Sequence, residues 1–107
     1  MVSIEEFMKI EFRTAKILSV EDVQGRDKLY KIYFDLGNGE KKQTLSGVRQ
    51  HYTKEQLMGR TVIIVANLDP TIIAGHKSET MLLAADSKNG PILAGFEHPV
   101  EPGNRVR

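Results

Sequence analysis

The chain has 107 residues, 40% of them hydrophobic, 27% charged and 7% aromatic, with 15 basic against 14 acidic side chains. That length suits one domain, and that apolar share supports a packed core rather than a disordered chain. A formal net charge of +1 is not the basic excess of an ordinary nucleic-acid binder, and the lack of cysteine excludes disulfides, thiolate metal sites and cysteine nucleophiles.

The N-terminal stretch "MVSIEEFMKIEF" carries acids where a secretion signal has bases followed by an unbroken apolar stretch. No run approaches the ~20 apolar residues that span a bilayer, so a cytoplasmic protein without membrane contact is expected. Ser3 followed by Glu6 has the spacing of a capping box and predicts a short helical turn over "SIEEF". "FRTAKILSVEDV" then reads as a long first strand, broken at "QGRDK". "LYKIYFDL" alternates cleanly, with Ile32, Phe34 and Leu36 on one face and Lys31, Tyr33 and Asp35 on the other. "GNG" at 37–39 is a hairpin turn by residue type, and "EKKQTLSGV" is the returning third strand.

Thr53, Gln56 and Gly59 bracket a short helix with an N-cap, a capping-box partner and a terminating glycine. "RTVIIVANL" is a continuous apolar run of strand length, predicted to be buried on both faces. A polar loop follows. "TMLLAAD" reads as a fifth strand, "SKNG" as a turn and "PILAGF" as a short extra strand. The closing "EHPVEPGNRVR" is rich in Pro and Gly and is expected along the surface.

Three strands, one short helix and two further strands predict an all-β, five-stranded Greek-key barrel with the helix between strands 3 and 4, which is the OB-fold. A small SH3-like barrel has a similar strand content. The whole chain, 1–107, reads as one domain, with the barrel over about 10–86 and a C-terminal extension over about 87–107. OB-folds bind oligonucleotides through one strand face and its loops.

No catalytic set converges. His51, His76 and His98 are scattered without metal-ligand spacing. Ser46 in "LSGV" lacks the glycine pattern of a nucleophile elbow. "GNGEKK" shares only its glycines with a phosphate loop. The chain by itself is expected to be no enzyme, with no metal and no cofactor.

One resemblance covers nearly the whole chain. "ANLDP" followed by "IIAGHKSETMLLAA" resembles the signature region of the tRNA-binding domain family. "FMKIEFRTAKILSVEDV", "RDKLYKIYFDLG", "QTLSGV", "YTKEQLMGRTVIIVANL" and "EPGNRV" resemble that family's other segments in their proper order. The departure is Thr80, where the family usually has glycine before the signature methionine. The resemblance implies a barrel that holds folded tRNA by its shape, as the C-terminal domain or β subunit of a methionyl-tRNA synthetase or as a stand-alone binder. It also implies homodimerisation of free-standing members through elements outside the barrel; the N-terminal helix and the tail from Pro91 onward are the candidates here. The chain lacks the His-x-Gly-His signature of an adenylating domain, so aminoacylation would belong to another polypeptide or segment. A secretion chaperone that binds peptides resembles the same family, and a general single-strand binder is a third reading.

The candidate RNA-binding residues are Arg13, Lys28, Lys31, Arg49, Asn67, Lys77, Ser78 and Met81. Lys28 is either a solvated turn lysine beside Asp27 or a phosphate contact. Lys31 projects from the polar face of the second strand. Arg13 and Arg49 can fork onto a phosphate or stack on a base. Asn67 either caps the Asp69–Pro70 turn or pairs with a base edge or ribose hydroxyl. Ser78 satisfies a loop backbone group or touches RNA, and Met81 is core or an apolar patch under a base. Tyr33, beside Lys31, is an exposed strand tyrosine or a stacking platform. Few aromatics favour recognition of backbone and shape over single-strand reading.

Overall fold

A computed structural model describes residues 1–107. Helix α1 (Ile4–Met8) begins at the expected capping box: Ser3 Oγ accepts the Glu6 amide at 3.1 Å, and the Glu6 carboxylate accepts the Ser3 amide at 3.3 Å. The helix buries none of its own residues, though Phe7 leans on the Phe12 ring with centroids 5.7 Å apart. Strands β1 (Phe12–Asp22), β2 (Tyr30–Asp35) and β3 (Lys41–Ser46) form an antiparallel meander. The β1–β2 register slips between Ile17 and Ser19, and such a bulge bends and twists a strand that must serve two sides of a barrel.

Helix α2 (Lys54–Leu57) has its capping box too, with the Gln56 amide donating to Thr53 Oγ1 at 3.2 Å and the Thr53 amide to Gln56 Oε1 at 2.8 Å. It inserts Leu57, fully buried, into the core. Strand β4 (Thr61–Val65) pairs with the first half of β1. Then come the hairpin β5 (Thr71–Ile73) and β6 (His76–Ser78), the short β7 (Met81–Leu82) on β4, the hairpin β8 (Ala84–Ser87) and β9 (Gly90–Leu93), and β10 (Arg105–Val106) on β1.

The main sheet runs β3-β2-β1-β4-β7 and curls into a nearly closed, OB-like barrel. Ile17, Ile32, Phe34, Leu36, Val62 and Ile64 fill it; burying a side chain of this size stabilises by about 1.5–3 kcal/mol. Two side-chain hydroxyls and one backbone bond close the remaining seam between β3 and residues 78–80. Ser78 Oγ accepts the Leu45 amide at 3.2 Å, Thr44 Oγ1 donates to the Thr80 carbonyl at 2.7 Å, and the Glu79 amide donates to the Gln43 carbonyl at 2.9 Å.

Four expectations are revised. The fifth strand is split: Leu83 donates to the Ile63 carbonyl at 3.1 Å and accepts from Ala94 at 3.1 Å, so the chain leaves the barrel there and Ala84–Ser87 joins a separate hairpin. The polar loop holds the β5–β6 hairpin, turning through Ala74 and Gly75 at φ 52° and 80°. β4 is not sealed on both faces, since Thr61 and Ile63 alternate as half-buried positions. The tail is not laid loosely on the surface. Thr14 Oγ1 donates to the Glu101 carbonyl at 2.7 Å and accepts the Asn104 amide at 2.9 Å, and the Thr14 backbone pairs with Gly103 and Asn104. The tail therefore extends the β1 edge that β2 leaves open, since β2 pairs only from Lys16 onward.

Candidate nucleic-acid interface

The outward face of the meander follows from its period-two register. Lys31 stands opposite Leu45, Tyr33 opposite Gln43 and Asp35 opposite Lys41, with Lys16 of β1 beside Asp35. The β5–β6 hairpin borders this face along β3. Gln43 Nε2 donates to the Lys77 carbonyl at 2.8 Å, and Lys31 Nζ lies 3.2 Å from His76 Nδ1. An ammonium only donates, so in this contact Nδ1 is the acceptor. Lys31 Nζ also lies 5.2 Å from the Tyr33 ring centroid, a cation–π distance. Lys31, Tyr33, Gln43, His76 and Lys77 thus form one continuous polar surface.

The Lys77 side chain is 58% exposed, and its nearest carboxylate, Glu79, is 4.0 Å away. Lys28 is exposed in the β1–β2 turn, where only its carbonyl is engaged, by the Arg49 amide at 3.3 Å. The ammonium groups of Lys16, Lys28 and Lys41 have no carboxylate within 4.0 Å and are exposed. Glu21, Asp35 and Glu79 share the region, so the positive potential is patchy rather than continuous.

The other candidates are committed elsewhere. Arg13 is packed under the β2–β3 turn; its guanidinium donates to Glu40 at 2.8 Å and to the Leu36 carbonyl at 2.9 Å. Arg49 spans the Val23 and Arg26 carbonyls at 3.3 and 3.0 Å, and faces Asp22 at 3.5 Å. Asn67 does not cap the turn after it. Its Oδ1 accepts the Glu11 amide at 2.8 Å and its Nδ2 donates to the Lys9 carbonyl at 2.7 Å, tying the N-terminal segment to the end of β4. Ser78 is 4% exposed, with its hydroxyl spent in the barrel seam. Met81 is 48% exposed on β7, opposite Val65, so it is neither core nor fully free.

His76, Gln43 and Lys41 were passed over in the sequence. Gln43 and Lys41 were readable, because "KKQTLS" alternates once its register to β2 is set by the Gly37–Gly39 turn. His76 was not, because its neighbour Lys31 lies 45 residues away in sequence. No group of three or more His, Asp or Glu side chains is placed to hold a metal ion.

The model of the family described as "Putative tRNA binding domain" matches residues 12–105. The chain is 45% identical over 106 residues to a methionine–tRNA ligase of Methanocella arvoryzae, covering 99% of this chain but 15% of the ligase. It is 42% identical over 106 residues to the ligase of Methanococcus vannielii, again 99% of this chain and 16% of that enzyme. The chain therefore spans about a sixth of these relatives. Among solved structures, a MetRS-related protein from Pyrococcus horikoshii superposes with a TM-score of 0.92 at 29% identity, over 100% of this chain and 98% of that one. The CsaA chaperone protein from Picrophilus torridus superposes with a TM-score of 0.92 at 28% identity, over the whole of both chains.

Proposed function

The chain belongs to the tRNA-binding domain family, and on that premise we propose that it holds folded tRNA without altering it, as an accessory domain of a methionyl-tRNA synthetase. The observation that carries this reading is the joined surface of Lys31, Tyr33, Gln43, His76 and Lys77, where strand and hairpin meet through the Lys31–His76 and Gln43–Lys77 contacts. Such a surface supplies cations for phosphates, one ring for stacking, and amide and imidazole groups for ribose hydroxyls. Lys16 and Lys41 extend it across the meander, and Lys28 adds an exposed cation in the β1–β2 turn. Met81 offers an apolar edge nearby. Arg13, Arg49, Asn67 and Ser78 serve this function through the fold, by holding the strands and turns that present the surface.

Tethered to a catalytic part, such a module raises the local concentration of tRNA. Gains of about 10²–10⁴-fold in avidity need no new contact at the catalytic centre. A tRNA partner also places the protein in the cytoplasm. No helix is long and apolar enough to cross a membrane. The test is a titration with folded tRNA, an unstructured RNA of equal length and an unfolded polypeptide. Preference for folded tRNA is the expected result; equal affinity for both RNAs overturns shape recognition in favour of a general single-strand binder.

A second reading, a peptide-binding chaperone, draws on the CsaA-like fold and on exposed apolar side chains such as Ile72 and Ile92. Binding of the polypeptide alone would select it. Self-association belongs to either reading. Val2, Ile4 and Met8 are exposed on the N-terminal segment, with Ile4 71% exposed, and a second copy of the chain would cover them. Sedimentation should report a dimer that Ile4→Glu with Met8→Glu converts to monomer. A wild-type monomer removes this proposal.

A further inference from the structure

On the opposite margin of the barrel, a groove of about 580 Å³ separates the start of β4 from the segment between Ile92 and Val100. Its volume falls in the range of about 300–1,000 Å³ in which small-molecule sites are found. The walls are partly apolar, from Tyr52, Ile92, Phe96 and Val100, and partly polar, from Arg60 and His98. An adjoining hollow shares Thr61, Pro99 and Val100 and leads to Lys16, which pairs with Thr61 across β1 and β4.

Arg60 is held at its backbone on both sides. Its amide donates to the Leu57 carbonyl at 3.0 Å, and its carbonyl accepts the Ile17 amide at 2.9 Å. Its guanidinium lies 5.6 Å from the Tyr52 ring centroid and has no carboxylate partner. Tyr52 is fixed as well. Its hydroxyl accepts the Leu93 amide at 3.1 Å, and its carbonyl accepts the Tyr30 hydroxyl at 2.8 Å. Glu97 and Glu101 also line the two hollows, yet neither forms an ion pair with Arg60 or Lys16.

A planar cation resting on an anchored ring, inside a groove roomy enough for a nucleotide and with a second cation in the adjoining hollow, matches one ligand chemistry well. We propose that this groove receives a single unstacked nucleotide of the bound RNA, its base against Arg60 and Tyr52 and its phosphate toward Lys16. A guanidinium plane stacks on any base, and an unpaired nucleotide is what a folded RNA offers outside its helices. Pre-formed anchoring lowers the ordering cost that a weak site must otherwise overcome. Two unpaired cations are why a nucleotide is favoured over an apolar peptide. The site rests on the RNA-binding reading but does not share residues with the meander surface other than Lys16.

The test uses the ¹⁵N-labelled protein with adenosine 5′-monophosphate, ribose 5-phosphate and a short apolar peptide, followed by amide shifts. The monophosphate should move the amides of Arg60, Gly95 and Phe96, and ribose 5-phosphate should not. Arg60→Gln should weaken that response by about two- to fivefold, the worth of one exposed cation–π contact. In parallel, removing the unpaired terminal nucleotides from a tRNA should lower its affinity for the wild type by a larger factor than its affinity for Arg60→Gln. Groove amides that ignore the monophosphate, or answer ribose 5-phosphate equally, overturn the nucleotide site. So does a response to the peptide alone. If folded tRNA itself fails to bind, the RNA reading fails first; if tRNA binds while the groove stays silent, only the groove proposal falls.

Discussion

Asn67 has both ends of its carboxamide occupied, by the Glu11 amide at 2.8 Å and the Lys9 carbonyl at 2.7 Å. With two bonds near a net 0.5–1.5 kcal/mol each, Asn67→Ala should lower stability by about 1–3 kcal/mol. Denaturant unfolding measures that loss, and faster hydrogen exchange at the Glu11 amide locates it. A drop in tRNA affinity with unchanged stability would instead make Asn67 a direct contact. Thr80 is the reverse case: its hydroxyl is buried with no hydrogen-bond partner, although its carbonyl is used by Thr44. Valine keeps the shape without the buried polar atom. Thr80→Val is expected to stabilise by about 1 kcal/mol, because the desolvated hydroxyl no longer goes unpaired; a lower melting temperature would show that the hydroxyl has a partner after all. At this scale the sequence misleads for a definite reason. Arg13 and Arg49 look like free cations in "EFRTAK" and "GVRQH", but the carbonyls and carboxylates that fill their forks lie 23 to 27 residues away. Lys31 was legible because strand alternation alone sets its face.

Elements were legible where a local signal exists. Both capping boxes, the long first strand, the alternating second strand and the turn at Gly37–Gly39 need only neighbours in sequence. The β5–β6 hairpin escaped because its tight turn uses Ala74 at φ 52° ahead of Gly75, where Asn-Gly or Asp-Gly is the usual signal. The tail escaped because its partner, Thr14, is 87 to 90 residues away. Its docking depends on Gly103, at φ +91°, where an added Cβ would meet the Leu36 carbonyl oxygen. Gly25 has a similar φ of +76° but open space around it. Positive φ alone costs about 1–3 kcal/mol in a residue with a side chain. Gly25→Ala should stay within that range, and Gly103→Ala should exceed it, because the tail must move as well. Equal melting temperatures for the two variants would mean that the tail is not needed to hold the β1 edge. For the same reason, a truncation after Phe96 tests folding before it tests association.

For the molecule as a whole, a net charge of +1 and a polyanionic partner are compatible only if binding uses local cations rather than overall attraction. Lys16, Lys31, Lys41 and Lys77 lie on or beside the meander face, with Lys28 exposed in the β1–β2 turn, and they are interrupted by Glu21, Asp35 and Glu79. Engagement of about three to six phosphates, at about 0.7 per phosphate in the single-strand estimate, gives a slope of log affinity on log salt between about −2 and −4. Lys31→Ala and Lys77→Ala should each make that slope shallower by about 0.7, if each ammonium displaces one counterion. Lys88→Ala, on the turn of the β8–β9 hairpin that forms its own sheet apart from the meander, should leave the slope alone. Affinity of this size falls steeply with salt, so under the proposed reading a covalent or subunit link that keeps tRNA close to a catalytic part would offset the loss. A slope near zero, together with unchanged binding by both lysine variants, would show that apolar contacts hold the ligand, and the peptide-binding reading would then replace the RNA one.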